Sequence, residues 1–169
     1  MSDALIPESV NFISVRQHNS SIGGFTDVFD EEEDNKAYIL ENEIKNICID
    51  VAGVIAVKMY LGKDDCGGSS DYRDAFKIGC QLVQGCMSYG VEYCNNLNTY
   101  GTSQLPTDDR SKRKIRKKVI KIINEQRKIA TKILRRNGKF VYKLVEYLMK
   151  DDTMTRDVFL KIKGEVYNK

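Results

Sequence analysis

Between Ala37 and Leu61, apolar residues recur at intervals of three and four: Ile39, Leu40, Ile44, Ile47, Cys48, Val51, Ile55, Ala56, Met59 and Tyr60. That period predicts a helix with one buried face, and Gly62 supplies its C-terminal stop. After the loop 63–69, Ser69 or Ser70 is placed to cap a second helix running to about Ser88. Asp71 and Asp74 fall in its first turn, where the helix dipole favours acids. Its apolar face comprises Ala75, Phe76, Ile78, Gly79, Leu82, Val83 and Cys86, and the glycines Gly79 and Gly85 predict close approach of another helix. Residues 89–106, rich in Asn, Gly, Ser and Thr, read as a long loop.

Thr107 or Asp108 opens a third helix reaching Arg136, with Ile115, Val119, Ile122, Ile123, Ile129, Ala130, Ile133 and Leu134 as its apolar positions. Asn137-Gly138 reads as a stop. A fourth helix over about 139–150 turns Val141, Leu144, Val145 and Leu148 inward. A last short helix takes Thr153 as its cap and Val158, Phe159 and Ile162 as anchors. Ahead of all these, residues 10–15 and 25–29 carry the β-branched and aromatic residues of two short strands, separated by the turn 19–24. The acidic run Asp30 to Asp34 reads as a solvated loop or helix lead-in. The expected fold is mainly α, a helical bundle with a small N-terminal β element, in a single domain over 1–169. Within it, 1–36 holds the strands and acidic loop, 37–106 two helices and the long loop, and 107–169 the C-terminal helices. Ile47, Val51, Ile55, Leu82, Val83, Ile122, Ile133 and Leu144 are expected to share one helical core.

Composition adds limits rather than direction. An apolar share of 41% and a charged share of 30% in 169 residues describe an ordinary globular chain, long enough to bury a core without staples. The five cysteines, Cys48, Cys66, Cys80, Cys86 and Cys94, form no CxxC pair and no regular framework. Cys48 and Cys80 sit among apolar residues and read as small buried hydrophobes. A reducing compartment, such as the cytoplasm, is expected, with possible attachment to a membrane only through a partner. No apolar run approaches the ~20 residues a membrane helix needs, and the first ten residues lack the features of a secretory signal. A net charge of +3 implies no partner by itself.

Three segments, in order, resemble the peptidase domain of FtsH-type ATP-dependent zinc proteases. Asp50-Val-Ala-Gly-Val-Ile-Ala-Val-Lys-Met-Tyr-Leu-Gly62 is similar to the family helix that ends in an aliphatic-Gly-Gly-Arg-x-Ala-Glu-Glu pattern and closes at a Gly. Gly67-Gly-Ser-Ser-Asp71, the helix after it and Met87-Ser88 look like the family's Gly-Ala-x-Asn-Asp segment, its helix and the following Gly-Met-Ser. The long helix, the Asn-Gly break, the short helix and Asp152-Thr-Met-Thr155 look like the two C-terminal helices and their Glu-Thr-Leu turn. The early strand and Gly-Gly turn also fit the segment after the family's zinc helix. The resemblance covers nearly the whole chain. It implies a helical peptidase-type fold, ring assembly, and a zinc-ligand position at Asp71.

The chemistry of that family needs more than Asp71. Two histidines at i and i+4 must hold zinc from one helix face, with a Glu activating the bound water. This chain has one histidine, His18, so no His-Glu-x-x-His exists. The family's Glu-Glu is Val57-Lys58 here and its Arg is Val54, so the residues supporting the site are replaced as well. No Gly-x-x-x-x-Gly-Lys-[Ser/Thr] loop is present, hence no ATPase module within these residues. No catalytic residue and no cofactor is expected, and Asp71 stands as a vestigial ligand position. Ser69, Ser70 and Cys66 read as cap and loop residues rather than nucleophiles.

What remains is charge. From Arg110 to Arg136 there are thirteen Lys or Arg and a single acid, Glu125. Lys114, Lys117, Lys118 and Lys121 are the candidate interaction residues on this helix. The resemblance, without the zinc chemistry, implies a non-catalytic binding or assembly module that associates with itself or with an FtsH-type relative. One alternative is the C-terminal part of a zinc endopeptidase whose zinc helix and ATPase lie elsewhere. The other is a basic helical protein that binds nucleic acid, with an anionic membrane as a related target. No aromatic residue interleaves the charges between Arg110 and Lys139, which counts against single-strand binding.

Overall fold

A computed structural model describes residues 1–5, 9–16, 24–28, 40–64, 67–85 and 109–167. His18, the turn 19–23, Phe29, the acidic run 30–34, the loop 89–106 and Cys66, Cys86 and Cys94 lie outside the described residues. The chain is mainly α-helical with a small antiparallel sheet, and it divides into two compact units. One comprises 37–132 and the other 1–36 with 133–169.

In the unit 37–132, α2 (Leu40–Leu61) and α3 (Ser69–Gly85) pack on each other and against α4 (Asp109–Arg136). A short α1 (Ser2–Leu5) belongs to the other unit. The three- and four-residue period of α2 buries Ile47, Cys48, Val51, Ala52 and Ile55. Gly62 takes φ +66 and its N–H donates to the Lys58 carbonyl, ending the helix as expected. From α3, Leu82 and Val83 are fully buried, and from α4 Ile115 and Val119 are too. Gly79 lets α3 and α4 approach closely: a Cβ there would lie 2.7 Å from Cγ1 of the fully buried Val119. Gly85 has no such role, since nothing lies within 4 Å of its missing Cβ. The Cys48 thiol is buried and donates to the Gln126 carbonyl at 3.7 Å. Cys80 is buried among apolar neighbours, and burial pushes both thiols above the usual cysteine pKa.

The second unit is built around a three-stranded sheet, in the order β2 (Phe25–Val28), β1 (Val10–Ser14), β3 (Thr153–Thr155). Residues 153–155 correct the expectation that Thr153 caps the last helix. Thr153-Met154-Thr155 pairs antiparallel with Ser14, Ile13 and Phe12, and α6 (Arg156–Tyr167) begins only afterwards. The reason is alternation over three residues. Met154 is 1% exposed on the core side while Thr155 faces solvent, so an extended segment buries the methionine and completes the hydrogen bonding of β1. The β element thus joins the two ends of the chain.

Val10, Phe140, Met154, Phe159 and Ile162 form the core of this unit, with Ile13, Leu144 and Leu148 packed around them. Phe140 meets Phe159 edge-on at 5.4 Å between ring centroids. Asn137-Gly138 is a break rather than a full stop. The Asn137 N–H still donates to the Ile133 carbonyl, and its amide Nδ2 donates to the same oxygen at 2.9 Å. α5 (Gly138–Leu148) then starts at once. Val145, expected inward, is 52% exposed, because Leu144 and Leu148 fill the core side of α5 and leave Val145 a turn-face away. Ile133 and Leu144 are half-buried in this unit, whereas the other six residues expected to share their core are buried in the unit 37–132.

Candidate functional site

Asp71 lies in the first turn of α3, half-buried, with its Oδ1 accepting a hydrogen bond from the Ser70 hydroxyl at 3.2 Å. Its other oxygen approaches the backbone of Gly53 on α2 and Gly68 before α3, where Cβ atoms would stand 3.9 and 3.8 Å away. Both are ordinary van der Waals distances; the close approach that needs a glycine at Gly68 is to the Val54 side chain of α2, whose Cγ2 would clash with a Cβ there. The same junction holds Asp50 of α2, a residue the helical period alone does not single out. Its Oδ2 is buried and finds no hydrogen-bond partner among the described residues. Burial first, and then the charges of Asp71, Asp74 and Glu43, push the Asp50 carboxyl up to about 6.

A signal for Asp50 is present in the sequence. It stands three residues after Ile47 and next to Val51, on the edge of the apolar stripe of α2. A carboxylate at such a position must find a partner, bind a cation or hold a proton. Among the described residues no group of three or more His, Cys, Asp or Glu is arranged to hold a metal ion. What this junction can do is hold a proton near neutral pH, since neighbouring carboxylates disfavour one another's charge.

Exposed charge is concentrated on α4. Ile115, Val119, Ile122, Ile123, Gln126 and Ala130 mark its buried stripe. On the opposite side Arg110, Lys114, Lys117, Lys121, Lys128 and Lys132 are all exposed, spaced by four, three, four, seven and four residues. At ~1.5 Å per residue this line of cations runs about 33 Å, interrupted midway at Asn124 and Glu125. Lys118 is half-buried at its edge, and Lys112 pairs with Asp109 at 3.9 Å at the helix start. Three of the four lysines singled out from sequence, Lys114, Lys117 and Lys121, thus share the outward face, and the fourth flanks it. Apolar residues border the stripe as well: Ile120 and Ile129 are 45% and 43% exposed, on the two shoulders of the helix. Ile129 therefore departs from the buried position its spacing suggested.

The described helices include none long and apolar enough to cross a membrane. Comparison with protein-family models and with curated proteins yields no match to this chain.

Proposed function

We propose that this chain is a non-catalytic binding and assembly module whose working surface is the outward face of α4, and that its partner presents an acidic protein surface. The observation that carries this reading is the line of exposed cations from Arg110 to Lys132, broken only at Asn124 and Glu125, on the side of α4 opposite its buried stripe. Charges spread along a helix have their backbone spacing set before binding, so only side-chain freedom is lost when the surface docks. Ile120 and Ile129 on the shoulders add apolar contact that a protein partner can use and a phosphate backbone cannot. The order of elements that resembles the FtsH-type peptidase domain supports a scaffold descended from a ring-forming enzyme. His18 as the single histidine supports loss of its chemistry.

The test is binding of the purified chain to an immobilised acidic protein surface, or recovery of a partner from cell extract, at rising salt. Charge reversal at Lys114, Lys117, Lys118 and Lys121 together is expected to abolish the interaction, because steering between opposite charges falls off with ionic strength. A second reading, nucleic-acid backbone binding, is favoured by the row of exposed cations along one face of α4. It requires log affinity for a DNA or RNA duplex to fall with log salt at a slope near −0.9 for each phosphate contacted. Binding insensitive to both salt and charge reversal refutes both readings.

A further inference from the structure

The unit formed by 1–36 and 133–169 holds a pocket of about 560 Å³ that its own core does not fill. That volume lies within the ~300–1,000 Å³ of small-molecule sites. α1, β1, β2, the end of α4, α5 and α6 all contribute to its walls. Most of the lining is apolar, from Val10, Ile13, Leu134, Phe140, Leu144 and Phe159. Val10, Leu134, Phe140 and Phe159 are buried and held by their neighbours. The apolar wall is therefore built before a ligand arrives, and an apolar chain entering it displaces water without rearranging the fold.

A small polar group completes the lining. Lys163 Nζ reaches both oxygens of Asp3, at 3.1 and 2.9 Å, and the Asp3 side chain is only 12% exposed. The Tyr167 hydroxyl donates to Asn137 Oδ1 at 2.5 Å. Burial first, and then the nearby Asp3 carboxylate, hold that hydroxyl above the usual tyrosine pKa. Arg136 lines the same pocket, is exposed, and has no acidic partner among the described residues. Asp3 and Lys163 cancel each other's charge, so Arg136 sets the sign of the pocket, which is positive.

We propose that this pocket binds a single-chain amphipathic anion, an aliphatic carboxylate of the fatty-acid class, with its chain on the apolar wall and its head group on the Arg136 guanidinium. A guanidinium presents paired N–H donors that match the two oxygens of a carboxylate. A cationic head would be repelled by Arg136, and a neutral head would leave that charge unanswered. The site shares no residue with the line of cations from Arg110 to Lys132, so it stands or falls independently of the binding proposed above.

Methyl NMR of the full chain titrated with octanoate tests it. Shifts are expected at the methyls of Val10, Ile13, Leu134 and Leu144, saturating around 1 mM, as ~10 heavy atoms at ordinary ligand efficiency allow. Affinity should rise about three- to fourfold for each methylene added from butyrate to octanoate. Octanol and octylammonium should bind at least about fivefold more weakly than octanoate. Arg136→Glu, at an exposed position, should weaken octanoate at least about tenfold and leave octanol within about threefold. Val141→Trp, which places a large side chain in the pocket from α5, should abolish binding of both; if that variant fails to fold, Arg136→Glu still decides. No shift at these methyls up to about 10 mM octanoate, equal binding of octylammonium, or binding indifferent to Arg136→Glu overturns the proposal. So do shifts confined to α4 between Arg110 and Lys132, which assign the anion to the cation line instead.

Discussion

Asp50→Asn should make this protein more stable at neutral pH, because it removes a half-buried charge that also faces Asp71, Asp74 and Glu43. In the folded chain the Asp50 carboxyl is half-buried, one oxygen finds no hydrogen-bond partner among the described residues, and burial raises its pKa from 3.8 to about 6. Between those two values the folded state holds a proton that the unfolded state has released. Stability must therefore fall as pH rises from about 4 to about 6, and the penalty is complete above the folded value. The gap corresponds to about 3 kcal/mol at ~1.4 kcal/mol for each tenfold change in proton affinity. Solvent reaches part of the group, and screening brings the figure to about 1–2 kcal/mol. Asparagine mimics the protonated acid, so it escapes this penalty. Thermal unfolding by circular dichroism should show Tm raised by roughly 2–8 °C at pH 7.5. At pH 3.5, below both pKa values, aspartic acid is mostly protonated in either state and the difference between the two proteins should nearly vanish. Asp71→Asn should give a smaller gain at pH 7.5, because it relieves a secondary cause of the shift rather than burial itself. If Asp50→Asn destabilises equally at both pH values, the carboxylate has a stabilising partner and the reasoning fails.

Packing in the unit 37–132 makes Leu82→Ala costly by ~2–5 kcal/mol, measured by urea unfolding, since Leu82 is fully buried. Gly79→Ala should destabilise by ~1–2 kcal/mol despite alanine's higher helix propensity, because the new methyl meets a buried valine that is stiff about χ1. The same change at Gly85, with open space around it, should be neutral or stabilising. Elemental analysis of the purified chain should find far less than one zinc per molecule, and no casein cleavage that tracks with Asp71→Ala. A stoichiometric, tightly held zinc contradicts the reading of Asp71 as a vestigial position.

Local pattern was enough for most helices. The three- and four-residue period of α2 located its C-terminal end and most of its buried face, although Tyr60, counted on that face, is 45% exposed, and Gly62 marked the end because a residue free at positive φ closes a helix that way. The basic face of α4 was legible for the same reason. A long amphipathic helix has one inward stripe, and whatever lies opposite it faces solvent. Periodicity does not say how wide the buried stripe is, and that decided Val145 and Ile129. Both satisfy helical spacing to a core position, yet neighbours fill the core side and leave them half in water.

Only tertiary structure decided the rest. Thr153-Met154-Thr155 is too short for a periodic signal, and it is a strand because β1, more than a hundred residues earlier, offers an edge to pair with. Gly79 and Gly85 look alike in sequence, and just one of them faces a neighbouring helix. Asp50 owes its raised pKa first to burial and then to Asp71 and Asp74 on another helix, and no local window around Asp50 contains them. Sequence period fixes which side of an element is apolar. What that side meets depends on loop closure and on packing between residues far apart in the chain, and neither is encoded in a window of ten or twenty residues.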